Sequence, residues 1–207
     1  MEHLFIKGKN GSDRTLILFH GTGGRETDLL EVATMVNGSA NVLALRGAVD
    51  ENGQTRYFKR ISFHEYDQES LKEEGRRTAS KIEELASVYG LDLSKAVYIG
   101  YSNGANMAAY LMLNHEIPVA GGLFLHPAYR SELIRKDILL ENSVLITAGA
   151  RDMMATAGEA YELKKHLELK GASVEVKLTD GGHEIVSEEL MEGHVWYLKV
   201  ENMMDDL

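Results

Sequence analysis

"AVYIGYSNGANMAAYLML", residues 96–113, passes from an apolar, β-rich run through a glycine-flanked serine into a run of helical character. Gly100, Ser102 and Gly104 give the spacing G-x-S-x-G, the form taken when a nucleophile stands on a sharp turn between a strand and a helix. Glycines suit such a turn because strand and helix backbones pass close on either side of it. The same five-residue pattern also arises by chance as a glycine-rich turn with an exposed serine. The rest of the chain has to decide.

Outward from this centre, short apolar or β-branched runs alternate with longer helical patterns. "TLILFH" (15–20), "NVLALRG" (41–47), "AVYIG" (96–100), "GGLFLH" (121–126), "SVLITAG" (143–149) and "SVEVKLT" (173–179) read as buried strands, and "HLFIKG" near the start as an edge strand. Helical patterns lie near 26–37, 70–89, 104–115, 156–170 and 184–200, with Gly90 placed to end the second. This alternation predicts a mainly parallel sheet with helices on both faces, in one α/β domain over residues 1–207. The longest non-periodic stretch, 47–68, holds Tyr57, Phe58, Phe63 and Tyr66 and is expected to be a functional loop. No insertion exceeds it, so no cap domain is expected. The closing "ENMMDDL" reads as a solvated acidic tail.

Composition narrows the function. With 32 acidic and 22 basic residues the net charge is −10, which disfavours phosphate backbones and anionic lipid surfaces. There is no cysteine, so disulfides, thiolate metal sites and a cysteine nucleophile are excluded. The N-terminus lacks the basic start and apolar run of a secretory signal, and no apolar run reaches transmembrane length. A cytoplasmic protein with no nucleic-acid partner and no membrane insertion is expected.

A serine hydroxyl needs a base, and the base an acid that fixes its tautomer. His183, in "TDGGHEI", follows the last strand, and Asp152, in "TAGARDMM", follows the preceding one. Asp180 is the competing acid, but three residues before His183 it more naturally caps a turn. Backbone N–H donors for an oxyanion are expected from Asn103, next to the serine, and from Thr22 in the glycine-rich "HGTGGRETDLL" (20–30). That loop lacks the ending of a phosphate-binding P-loop. Phe58, Met153 and Met154 are the candidate walls of a small substrate pocket. His20 and His126 close strands and are expected to be buried hydrogen-bonding residues. The remaining histidines share no ligand spacing, so no metal is expected.

"HGTGGRETDLL", "RGAVDENGQTRYFKR", "GYSNGAN", "GARD" and "GGHEI" together resemble, in order and spacing, the α/β-hydrolase superfamily over roughly residues 14–190. The chain looks most like its small phospholipase/carboxylesterase family, which includes carboxylesterases and acyl-protein thioesterases, and within it like compact bacterial hydrolases of hydroquinone and quinone stress. The resemblance implies a Ser102–Asp152–His183 triad, an acyl-serine intermediate, no cofactor and a small-molecule ester or thioester as partner; a homodimer is left open. It departs at Met153–Ala155 after the acid, and it does not place the variable segment "HPAYRSELIRKD". The alternative is a non-catalytic ligand-binding or sensing protein on the same fold.

Overall fold

In the computed structural model, which describes residues 1–205, the apolar runs become strands. In chain order the strands are β1 (His3–Ile6), β2 (Thr15–Phe19), β3 (Asn41–Leu45), β4 (Val49–Glu51), β5 (Gln54–Arg56), β6 (Arg60–Ser62), β7 (Glu65–Tyr66), β8 (Ala96–Tyr101), β9 (Gly121–Leu125), β10 (Ser143–Gly149) and β11 (Ser173–Thr179). Seven of them form one sheet in the order β1-β3-β2-β8-β9-β10-β11. All its pairings are parallel except that of β1, which lies antiparallel to β3 at the edge.

Helices α1 (Leu30–Asn37), α2 (Gln68–Tyr89), α3 (Asn103–Asn114), α4 (Ala157–Glu168) and α5 (Ser187–Asp205) cover both faces. Because strand side chains alternate, Leu16 and Leu18 of β2 point to a core shared with α1 and α5, whereas Ile17 and Phe19 point to one shared with α2, α3 and α4. Each fully buried side chain of this kind contributes about 1.5–3 kcal/mol, which is why the central strands read as unbroken apolar runs. Local chemistry sets the helix ends. Asp67 accepts from the Ser70 N–H to start α2, Gly90 ends it with φ 65°, and Thr156 and Glu159 bond reciprocally to start α4.

Two expectations fail. Residues 47–68 are not an irregular loop: β4 pairs with β5 and β6 with β7, giving two short antiparallel hairpins. Nor do residues 201–205 form a solvated tail, since they continue α5, with Met204 in the core and Asp205 paired to Arg14. Residues 206 and 207 of that segment lie outside the described residues. Among the described residues no helix is long and apolar enough to cross a membrane.

Candidate active site

The carboxyl ends of the parallel strands converge on Ser102, the natural ligand site of an open α/β sheet. Ser102 sits between β8 and α3 with φ 52° and ψ −116°, a conformation that costs a non-glycine residue on the order of 1–3 kcal/mol. The flanking glycines are obligatory for close approach. A Cβ on Gly104 would lie 2.1 Å from the Phe19 carbonyl oxygen, and one on Gly100 would lie 2.6 Å from Ala105 Cα. The Ser102 N–H donates to the Leu125 carbonyl at 2.9 Å, tying the turn to β9.

His183 and Asp152 arrive from the turns after β11 and β10. Ser102 Oγ lies 2.8 Å from His183 Nε2, and His183 Nδ1 donates to Asp152 Oδ2 at 2.7 Å. Asp152 Oδ1 accepts from the N–H groups of Met154 and Ala155, at 2.8 and 2.9 Å. Burial opposes the charge on Asp152, but the Ala155 N–H, His183 and the Met154 N–H outweigh it and hold the carboxyl below its usual range. Asp180, in contrast, is exposed, and its carbonyl accepts from Arg151. Among the described residues no hydrogen bond reaches its carboxylate. The capping expected of it falls instead to Thr179 Oγ1 and Glu184, which accept from the Gly181 and Gly182 N–H groups.

Thr22 and Asn103 flank Ser102 in a cavity of about 50 Å³. As the first residue of α3, Asn103 has an N–H with no intrahelical acceptor, and the Thr22 N–H takes no part in the turn bonds made by Gly23 and Gly24. His20 braces this loop: Nδ1 donates to the Gly21 carbonyl at 2.6 Å and Nε2 accepts from the Gly47 N–H at 3.0 Å. That pattern fixes one neutral tautomer, and burial lowers the ring's pKa.

The proposed walls require correction. Met154 lines the cavity, but Met153 projects into solvent, 84% exposed, and Phe58 is fully buried in the core. Phe58 sits edge-on to Tyr66, 4.8 Å between ring centroids, so it supports a wall residue without being one. The walls are Arg56, Arg60, Phe63, Tyr66, Asn106 and Arg130, with Met154 and Ala155. Two larger concavities, about 550 and 540 Å³, lie elsewhere, one at the amino ends of β9 and β10 and one beside α2 and the end of α3. Neither contains Ser102 or His183, and chemistry rather than size identifies the site.

Sequence reasoning missed several contributors. Arg130, in the segment that the family resemblance did not place, bonds Glu159 at 2.5 Å and the Phe63 and Met154 carbonyls at 2.8 Å each, joining three segments of the rim. The Tyr101 hydroxyl donates to the His183 carbonyl at 2.7 Å. Glu189, at the start of α5, reaches the site through His126. Only Tyr101, beside the serine, carried a local signal. Asp152, His183 and His126 are of metal-binding type and lie within 4.8 Å of one another, but hydrogen bonds and ion pairs already engage the facing atoms.

The fold is that of an α/β-hydrolase. Residues 16–188 match the dienelactone hydrolase family, and the chain belongs to that family. MhqD of Bacillus subtilis (strain 168), which carries a provisional hydrolase name, is 36% identical over 197 residues, 95% of this chain and 98% of that protein. The Bacillus cereus carboxylesterase structure superposes with a TM-score of 0.92 at 38% identity, covering 97% of this chain and 94% of that one. A carboxylesterase from Mesorhizobium loti gives 0.89 at 30%, covering 95% and 93%. The small-esterase resemblance in the sequence is consistent with these relatives.

Proposed function

We propose that the protein is a serine carboxylesterase acting on small carboxylic esters or thioesters. The observation that carries this reading is the continuous chain from Ser102 Oγ to His183 Nε2 and from His183 Nδ1 to Asp152, beside two unengaged N–H donors. Ser102 attacks the substrate carbonyl as its proton passes to His183 Nε2. Asp152 holds the ring in the Nδ1–H tautomer and supports the imidazolium. The Thr22 and Asn103 N–H groups receive the oxyanion. When the tetrahedral intermediate collapses, the bond to the alcohol or thiol breaks and His183 returns the proton to that leaving group. Water, deprotonated by His183, then attacks the acyl-serine; the bond to Ser102 Oγ breaks, His183 returns the proton to that oxygen and the acid is released.

The Bacillus cereus and Mesorhizobium loti carboxylesterases support the same bond class for this chain, and the small cavity limits acyl length. Each added methylene contributes about 0.8 kcal/mol, close to fourfold in kcat/KM, only while apolar wall remains to receive it. Preference therefore falls on acyl chains of roughly two to six carbons. A cytoplasmic setting belongs to the same proposal. The test is kcat/KM across p-nitrophenyl esters from acetate to palmitate, with a matching thioester set. Turnover peaking at short chains supports the reading; a steady rise to the longest soluble chain overturns the small pocket, and tight binding without turnover of any member favours a ligand sensor.

A further inference from the structure

His126 is fully buried at the end of β9, with a backbone φ of 50° that is uncommon outside glycine. Its ring lies between two carboxylates. Nδ1 faces Asp152 Oδ2 at 3.1 Å, the same oxygen that accepts from His183, and Nε2 lies 2.9 Å from Glu189 Oε1, in an ion-pair contact off the N–H axis. Glu189 is buried too, and its other oxygen accepts from the Val186 N–H at 2.8 Å, which seats it at the start of α5. An ionised carboxylate only accepts hydrogen bonds. A neutral imidazole would therefore turn a lone pair toward one of the two carboxylates, and only the imidazolium suits both.

We propose that His126 is a positioning residue of this site: clamped between Asp152 and Glu189, it serves as an imidazolium that keeps Asp152 ionised and aimed at His183, and it sets the acid limb of the rate profile. The inference rests on the proposed Ser102–His183–Asp152 chemistry. Burial opposes a charged ring, and the Glu189 and Asp152 carboxylates outweigh it, holding His126 above the usual histidine range. The other groups facing it are His183, 5.4 Å away between ring centroids, the Tyr101 ring, and Glu184 through its charge. With His126 protonated, the buried cluster carries one net negative charge and becomes neutral when His183 takes the serine proton. Without that cation the cluster would be more negative and would draw a proton onto His183 at higher pH, where a protonated ring cannot act as base.

Two measurements test this. In the wild type, long-range ¹H–¹⁵N spectra should show both His126 ring nitrogens protonated between about pH 5 and 8. His126→Gln should lower kcat with little change in KM and raise the midpoint of the acid limb of kcat/KM by about one pH unit. Should His126→Gln fail to fold, Glu189→Gln replaces it, and the His126 ring should then titrate within that same pH range. A bare, unprotonated His126 nitrogen at neutral pH, an unmoved acid limb in folded His126→Gln, or an unchanged ring titration in Glu189→Gln would overturn the proposal. Fluorophosphonate labelling of Ser102 in the wild type reports separately on the underlying reading, and its failure leaves the His126 spectra interpretable.

Discussion

At Gly104 a single methyl group decides whether the serine turn can exist. The added carbon would meet backbone, the Phe19 and His20 carbonyl oxygens at 2.1 and 2.4 Å, so no side chain can swing away to admit it. Gly104→Ala should therefore cut kcat/KM by at least about 100-fold, the loss that a misplacement on the order of 1 Å produces at a reacting centre. A soluble variant with near-normal kinetics would contradict the close approach of α3 to β2. Asp152 and Asp180 separate just as sharply. Asp152→Asn should lower kcat by as much as about 10⁴-fold, the loss seen when a protease triad loses its acid, while Asp180→Asn should stay near wild type. The reverse pattern would move the acid. Ser102, Asp152 and His183 were legible because each sits where a strand ends and carries a local signal of glycines or chain order. His126 and Glu189 were not, because they come from β9 and α5, and nothing near either residue in sequence announces their meeting.

Among the elements, the two hairpins between β3 and α2 were partly written in the sequence and went unread. Asn52 and Gly53 have φ of 55° and 83°, the paired left-handed conformations of a two-residue hairpin, and "NG" is the usual signature of that turn. A Cβ on Gly53 meets nothing within 4 Å, so Gly53→Ala should cost only backbone strain, about 1 kcal/mol by denaturant unfolding. The second hairpin carries no such signature, being held by long-range partners. Its edge is fixed by Arg130, whose fork spans Glu159 and the Phe63 and Met154 carbonyls. Arg130→Lys should raise KM nearly as much as Arg130→Ala, because a single ammonium cannot bridge three acceptors; full rescue by lysine would argue for charge alone. Phe58, expected from its sequence neighbourhood to be a wall, faces inward because this segment folds back onto the sheet.

On the scale of the whole molecule, the main strands, the parallel sheet and both covered faces followed from apolar periodicity, whereas the docking of residues 201–205 depended on Arg14 at the far end of the chain. The buried His126 cluster also links stability to pH. Burial opposes ionisation of Asp152 and Glu189, but hydrogen bonds hold both below their usual range; their stabilisation is present above the unfolded carboxyl values and lost as pH falls through the folded ones. His126 is raised against burial by the two carboxylates, so its contribution is present below the unfolded value of about 6.5 and fades as pH rises through the folded value. Thermal melts should show a plateau between the unfolded carboxyl values and about pH 6.5 that falls on both sides, with the alkaline fall reduced in His126→Gln; an identical alkaline limb in that variant would count against the linkage. The central claim is that Ser102 is a nucleophile activated by His183, and a fluorophosphonate reaches it most directly. The expected result is one adduct per chain, located on the peptide that contains Ser102, abolished by Ser102→Ala and strongly slowed by His183→Ala. An unmodified wild-type Ser102, or undiminished labelling of Ser102→Ala, would contradict it.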